Sequence, residues 1–282
     1  MRITPTAAWL LLAMYAAPAL AERDPRSGAP LPPRKHEVAN PITDHFYILG
    51  AFYAPQFHTS LRVDPSTTIP GVTGTPLSGE TALGLPDKKN MGRVEFMFRL
   101  RERHKVRVDT FEANRTGNKV LTQDLTIGDQ TFTAGQATRT ELNWRQFAIT
   151  YTYSIIHKEH FELGTGLAAY FLQIDLLTQA PGQREQVSAA TPFPALPVDM
   201  TWVISRRWAL TGHAAYLKAR HNSFAGFYAD YHIDAEYRWN PNFVVGLGYT
   251  NMRSSLSRMG GSLPGVVNVS IHGPEAFLRF SF

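Results

Sequence analysis

The sequence predicts an all-β protein, a closed antiparallel transmembrane up-and-down β-barrel of about ten strands, with eight or twelve as the alternative counts. Three observations predict it. Long runs alternate apolar and polar residues with a strict period of two, tight turns alternate with longer gaps between those runs, and the composition is unusual for a soluble chain. Of 282 residues, 18% are charged and 12% aromatic, against roughly 25% charged in ordinary soluble proteins. Much of the surface therefore faces something other than water.

The chain begins with a reading of export. Residues 1–21 carry one cation at Arg2, an apolar stretch over residues 7–17, and Ala19 and Ala21 in a small-x-small cleavage pattern. This is the pattern of a secretory signal peptide, and the apolar run is shorter than the roughly 20 residues a spanning helix needs. There is no cysteine, which excludes a lipoprotein anchor and a disulfide framework. Residues 22–43 are rich in proline and charge and read as a flexible periplasmic lead-in. The barrel is expected over 44–282. No later run reaches 18 continuous apolar residues, so helical spans are not expected. A net charge of +5 from scattered Lys and Arg leaves no footprint for nucleic acid.

The clearest strand is 227–239, FYADYHIDAEYRW. Phe227, Ala229, Tyr231, Ile233, Ala235, Tyr237 and Trp239 share one parity, and Asp230, His232, Asp234, Glu236 and Arg238 the other. As a helix the same stretch has no apolar stripe, so the period is that of a strand. Two-faced runs recur at Val94, Phe96, Phe98 and Leu100, at Phe147, Ile149, Tyr151 and Tyr153, and at Leu196, Val198, Met200 and Trp202. Strands are expected at 44–63, 91–101, 105–115, 137–156, 160–177, 194–204, 208–220, 226–239, 242–257 and 265–282. A strand tilted about 40° crosses an apolar band with about 10 residues. These runs are long enough.

The turns give an orientation. ERH, HKE, SRR and PN separate alternate strand pairs, whereas 64–90, 116–136 and 178–193 are longer and are expected to be surface loops. Nothing in those loops reads as a plug domain. In bacterial outer-membrane barrels the short turns lie in the periplasm, so both termini are expected there. Tyr47, Phe98, Tyr153, Trp208, Trp239 and Phe282 lie near the tight turns, as an aromatic girdle at a membrane interface does.

With a leader, two-faced strands, alternating loops and a last strand ending Ala276, Leu278, Phe280 and Phe282, the chain resembles the small Gram-negative outer-membrane barrels of the OmpA and OmpW type. The stretch 96–117, FMFRLRERHKVRVDTFEANRTG, is similar to a hairpin of uncharacterised proteobacterial barrel proteins. The resemblance implies that the terminal strand is a signal read by the barrel-assembly machinery. It also implies periplasmic chaperones on the route, outer-membrane lipid and lipopolysaccharide around the barrel, and a monomer.

Assigning the apolar parity to lipid turns Arg93, Glu95, Arg99, Arg107, Asp109, Asp230, His232, Asp234, Glu236, Arg238, Glu275 and Arg279 into the lumen. Charges of both signs in so narrow a space are expected to pair, giving a closed or narrow barrel with a structural or surface-interaction role. A narrow channel for small or apolar solutes is the alternative, and a lipid A-modifying enzyme the second. The enzyme reading has little support. Asp230, His232 and Asp234 on one strand face one way without being aimed at each other, and Ser223 or Ser254 as nucleophile lacks a motif of the required order. His213 and His232 on neighbouring strands have no fixed third ligand for a metal. No cofactor, metal or catalytic residue is expected.

Overall fold

The computed structural model describes residues 39–65, 74–221, 224–258 and 265–282. The expected signal peptide, the expected lead-in up to residue 38 and Ser223 lie outside the described residues. Where the sequence alternates, the backbone is extended: β1 (Phe46–Tyr53), β2 (Gln56–Val63), β3 (Leu77–Ser78), β4 (Met91–Arg101), β5 (His104–Val120), β6 (Leu125–Ile127), β7 (Gln130–Phe132), β8 (Ala137–His157), β9 (Phe161–Ala180), β10 (Gln183–Val203), β11 (Trp208–His221), β12 (Phe224–Asn240), β13 (Phe243–Arg258) and β14 (Gly265–Ser281). Each long strand pairs antiparallel with the next, and β14 returns to β1 with Ser281 opposite Tyr47. The sheet closes on itself. β1 and β2 together form one wall strand, both paired to β14, so the barrel has ten. Closure leaves no open edge around the ring, the condition for a sheet surrounded by lipid.

The outer parity is apolar over a continuous belt. Phe98, Ile149, Leu196, Ile233, Leu247 and Leu278 are all exposed, Ile233 at 53%. A soluble sheet buries such residues. Exposed on every wall strand, they form the lipid-facing surface of a membrane barrel. The belt ends in aromatic pairs at the short-turn end, where Trp208 meets Tyr237 at 5.1 Å and Phe243 meets Phe280 at 5.1 Å between ring centroids.

Three expectations about boundaries are corrected. The strand expected over 44–63 is broken at Ala54 and Pro55, because proline has no N–H for the ladder; Ala54 N–H instead donates to the Pro274 carbonyl at 3.1 Å. The surface loop expected over 178–193 is mostly strand. β9 and β10 run on to a turn of Pro181 and Gly182, with Gly182 at φ +78°, a left-handed conformation that glycine adopts at least cost. That segment is polar on both faces, so no alternation marks it, and Pro192 and Pro194 argue against a strand. They are tolerated because β10 pairs with β11 only from Leu196 onward. Third, β5 continues to Val120, and the 116–136 gap contains the β6 and β7 hairpin.

The largest correction concerns the long-loop end, which does hold a plug. Residues 77–85 and 121–132 fold inward. Leu77, Leu83, Leu85, Leu121, Leu125, Ile127 and Phe132 are buried against Phe57, Leu61, Leu142, Trp144, Leu172, Ile174 and Phe193 of the inner wall. The inner face of the upper barrel is apolar as well, so this end is packed like a soluble core. On this reach of the wall the outward parity is polar, with Glu112, Asn114, Arg139, Glu141, Asn143 and Arg145, and the inward parity is largely apolar, the reverse of the belt below, and the loop segments that fill it carry no period of their own.

Candidate functional site

The lumen is built from the inward parity of every wall strand, and three layers fill it. At the short-turn end, residues 40–44 make a turn held by Asn40, whose side-chain oxygen accepts from Ile42 N–H at 2.8 Å. The turn places Ile42 and Asp44 inside the barrel, both buried. Asp44 accepts from Arg238 at 2.6 Å, and its carbonyl accepts from Arg99 at 3.2 Å. The chain thus closes its own floor.

Above the floor lies an ion layer. Arg279 donates two bonds to Glu236, at 2.5 and 2.8 Å, and its guanidinium sits 5.0 Å from the Tyr47 ring centroid. Tyr47 donates to Glu95 at 2.6 Å, and Glu95 accepts from Arg93 at 2.6 Å. Arg93 also faces Glu275 at 3.4 Å and contacts His232 Nδ1 at 2.5 Å. A guanidinium only donates, so Nδ1 accepts and His232 Nε2 donates to Asp230 at 2.8 Å. Tyr228 ties Asp230 to Gln146. Across the lumen, Asp199 takes Arg107 at 3.1 Å, Thr152 at 3.1 Å and His213 at 2.6 Å, while the Tyr170 hydroxyl meets the other His213 nitrogen at 3.2 Å. Glu162, with 0% exposure, receives Arg99, Lys105 and Ser154. The strongest bonds here are charge-assisted and several are bidentate.

All twelve of the sequence's lumen candidates lie on the inward parity of their strands, and most share this network. Asp234 is different, since one of its carboxylate oxygens is buried with no hydrogen-bond partner among the described residues. Asp109 borders a small void beside Phe111, Gln146 and Asp230. Sequence reasoning missed Asp44, Lys105, Glu162, Asp199, Tyr170 and Tyr228. Asp199 was legible, since it sits on the polar parity of its strand; Glu162 and Asp44 were not, because each acts from beside a turn.

Between floor and ion layer is a cavity of about 80 Å3, bordered by Tyr47, Glu95, Arg107, His213, Asp234 and Arg279. It has room for a few waters. His213 and His232 stand opposite in register, with rings 5.7 Å apart. Each is committed to its own carboxylate, and among the described residues no three His, Asp or Glu converge as for a metal. Ser254 Oγ has no hydrogen-bond partner among the described residues, so no nucleophile and base pair forms there.

The third layer is the plug, and one ion pair latches it. Arg115 of β5 donates to Glu80 at 2.8 Å and to Thr59 Oγ1, and stacks over the Phe57 ring at 4.4 Å. Glu80 also accepts the Thr59 N–H at 3.0 Å. Burial alone would raise the Glu80 carboxyl, but the Thr59 N–H and Arg115 outweigh it and hold the group below its ordinary range. Gly117 completes the dock: a Cβ there would lie 2.5 Å from the Gly84 backbone. The Arg-x-Gly that ends the 96–117 stretch is therefore a plug-docking feature.

No family model and no curated protein matches the sequence. Solved structures do. The outer membrane protease OmpT of Escherichia coli is similar over 84% of this chain and 96% of its own, with a TM-score of 0.53 and 12% identity. Ail, the attachment invasion locus protein of Yersinia pestis, covers 83% and 99% at 10% identity and TM-score 0.33. The outer membrane protein OprG of Pseudomonas aeruginosa covers 85% and 96% at 9% identity and TM-score 0.35. At these identities the likeness is one of fold alone. The chain has the closed antiparallel fold of Gram-negative outer-membrane β-barrels.

Proposed function

We propose that this chain is an integral protein of the outer membrane with a closed lumen and a structural or surface-interaction role, and that it is not an enzyme. The filling of the lumen by floor, ion layer and plug carries the reading. A diffusive pore needs a continuous wet path, and among the described residues the apolar plug packs against the inner wall across the long-loop end. The short-turn end, with both termini, faces the periplasm, and the extended β8, β9 and β10 rise on the outside as the surface offered to partners. The leader directs export, periplasmic chaperones and the barrel-assembly machinery receive the chain, and Ala276, Leu278, Phe280 and Phe282 form the assembly signal. Lipid and lipopolysaccharide surround the monomer.

Planar-bilayer conductance tests this reading. The wild-type chain should give no steps above background across about ±100 mV, a range worth about 2.3 kcal/mol per charge moved. Steady single-channel steps would refute the closed lumen. The OmpW-like part of the resemblance supports a second reading, a narrow channel for small or apolar solutes, and the polar cavity of about 80 Å3 beside the floor favours it. That reading requires the plug to leave, and a plug-release variant that conducts where wild type does not would support it. Lipid A spectra that change when the gene is removed would instead support the enzyme reading.

A further inference from the structure

The outer surface of the barrel is not electrically uniform above the apolar belt. On the β5, β8 and β9 side, outward Arg139 pairs with Glu141 at 2.9 Å and Arg145 with Glu112 at 3.2 Å. On the side formed by β11 to β14 and β2, the described outward positions within the strands include Lys218, Arg253, His58, His272 and Arg62, and Arg62 pairs with Asp64, just past the end of β2, at 3.0 Å. Arg253 is exposed and has no ion-pair or hydrogen-bond partner among the described residues. An unpaired arginine in open water is ordinary; its position here is not.

The register fixes that position. Arg253 is opposite Ser270, and Ser270 is opposite His58, so the three share one row across β13, β14 and β2. Neighbouring strands lie about 4.8 Å apart, so Arg253 and His58 flank Ser270 from the two adjoining strands. His272, the next outward residue on β14, stacks on His58 at 5.6 Å with planes 11° apart. Towards the short-turn end the next outward residues are Asn251 and then Tyr249 on β13, Pro274 on β14 and Tyr231 on neighbouring β12. Tyr231 and Tyr249 are 46% and 45% exposed on the apolar belt, with Tyr249 directly opposite Ile233 in register. Arg253 is two outward positions above Tyr249. A donor set of one guanidinium, one hydroxyl and imidazole N–H groups suits a phosphate oxyanion.

We propose that Arg253, Ser270 and His58, with His272 beside them, bind a phosphate of an outer-leaflet glycolipid. The proposal rests on the outer-membrane reading above. A lipid phosphate is favoured over a soluble anion because the row opens sideways above an apolar belt, where acyl chains would lie beneath a bound headgroup.

The test uses the full chain, folded in detergent, with a phosphorylated lipid A, the same lipid after phosphate removal, and inorganic phosphate as competitor. Retained lipid is read by native mass spectrometry. Arg253→Gln should lower retention of the phosphorylated lipid roughly tenfold, and His58→Gln should lower it less. Arg145→Gln, on the paired side, should leave retention unchanged, and phosphate removal should reduce wild-type binding to the level of Arg253→Gln. Equal retention by Arg253→Gln and wild type would overturn the proposal, as would equal binding of both lipids. Full competition by millimolar inorganic phosphate would overturn the lipid assignment. Heat-modifiable migration on gels is read in parallel: its loss in wild type would count against the barrel reading itself, whereas intact migration with no phosphate preference defeats only this proposal.

Discussion

Ile233 and Asp234 are neighbours in sequence and occupy opposite solvents. Ile233 faces outward near the middle of the belt, and Asp234 faces the lumen. Ile233→Arg should destabilise the barrel by about 2 to 4 kcal/mol in bilayers, measured by denaturant unfolding, while Asp234→Asn should cost far less. Equal tolerance of the two would mean that the faces are misassigned. Arg279 gives a sharper test of the ion layer. Arg279→Met removes the bidentate partner of Glu236 and leaves a buried carboxylate uncompensated, at an expected cost of about 3 to 5 kcal/mol. Adding Glu236→Leu should recover part of that loss. The lumen candidates were legible singly, because parity decides inward or outward. Their partners were not, because a pairing such as Arg93 with His232 joins β4 to β12 across the lumen.

At the scale of elements, the plug is the part whose behaviour is most open to adjustment. Gly117 has a wall-like role in sequence, yet its lack of a Cβ is what lets the Gly84 turn approach. Gly117→Val should release residues 77–85, seen as new protease cleavage in the 74–90 segment of folded protein, with the barrel intact. Acid should act in the same direction. Because the folded Glu80 carboxyl is held below its unfolded value of about 4.3, the latch is fully present above that pH and weakens as pH falls through the folded value. Cleavage should rise on acidification below about pH 4 in wild type, and Glu80→Gln should show elevated cleavage already at neutral pH. A wild type equally resistant at low and neutral pH would show that Glu80 does not hold the plug. The latch was hidden from sequence reading because Glu80 and Arg115 lie far apart in the chain, within different gaps and strands.

For the whole molecule, closure of the ring is the decisive event. Phe282 supplies it at one corner: its N–H donates to the Phe46 carbonyl at 2.8 Å, and its carbonyl accepts from His45 and Phe46. Its ring lies 6.1 Å from that of Phe46, which in turn meets Phe98 at 4.9 Å. Deleting Phe282 should therefore slow conversion to the heat-modifiable folded form, followed on gels over time, and Phe282→Tyr should restore it. Loss of the backbone bonds and of the ring act together in the deletion, and Phe282→Ala, which keeps the backbone bonds and loses the ring, separates them. The antiparallel order and a count near ten followed from the two-faced runs and the tight turns between them, since a tight turn makes neighbouring strands pair, and closure of β14 on β1 fixes the count at ten.

The sequence by itself determined the class, a strand count near ten, the belt and the inward side of the twelve lumen candidates. Those properties depend on period and turn length, which are local. Only the tertiary structure decided that the mouth is plugged, that β9 and β10 extend as a tall hairpin, and which acid meets which base. These depend on residues brought together across a closed ring. Arg115 shows the difference: parity turns it inward, but only the folded loop brings Glu80 to within 2.8 Å of it. The physical reason is that lipid selects each outward residue one at a time, whereas the lumen selects its residues as sets.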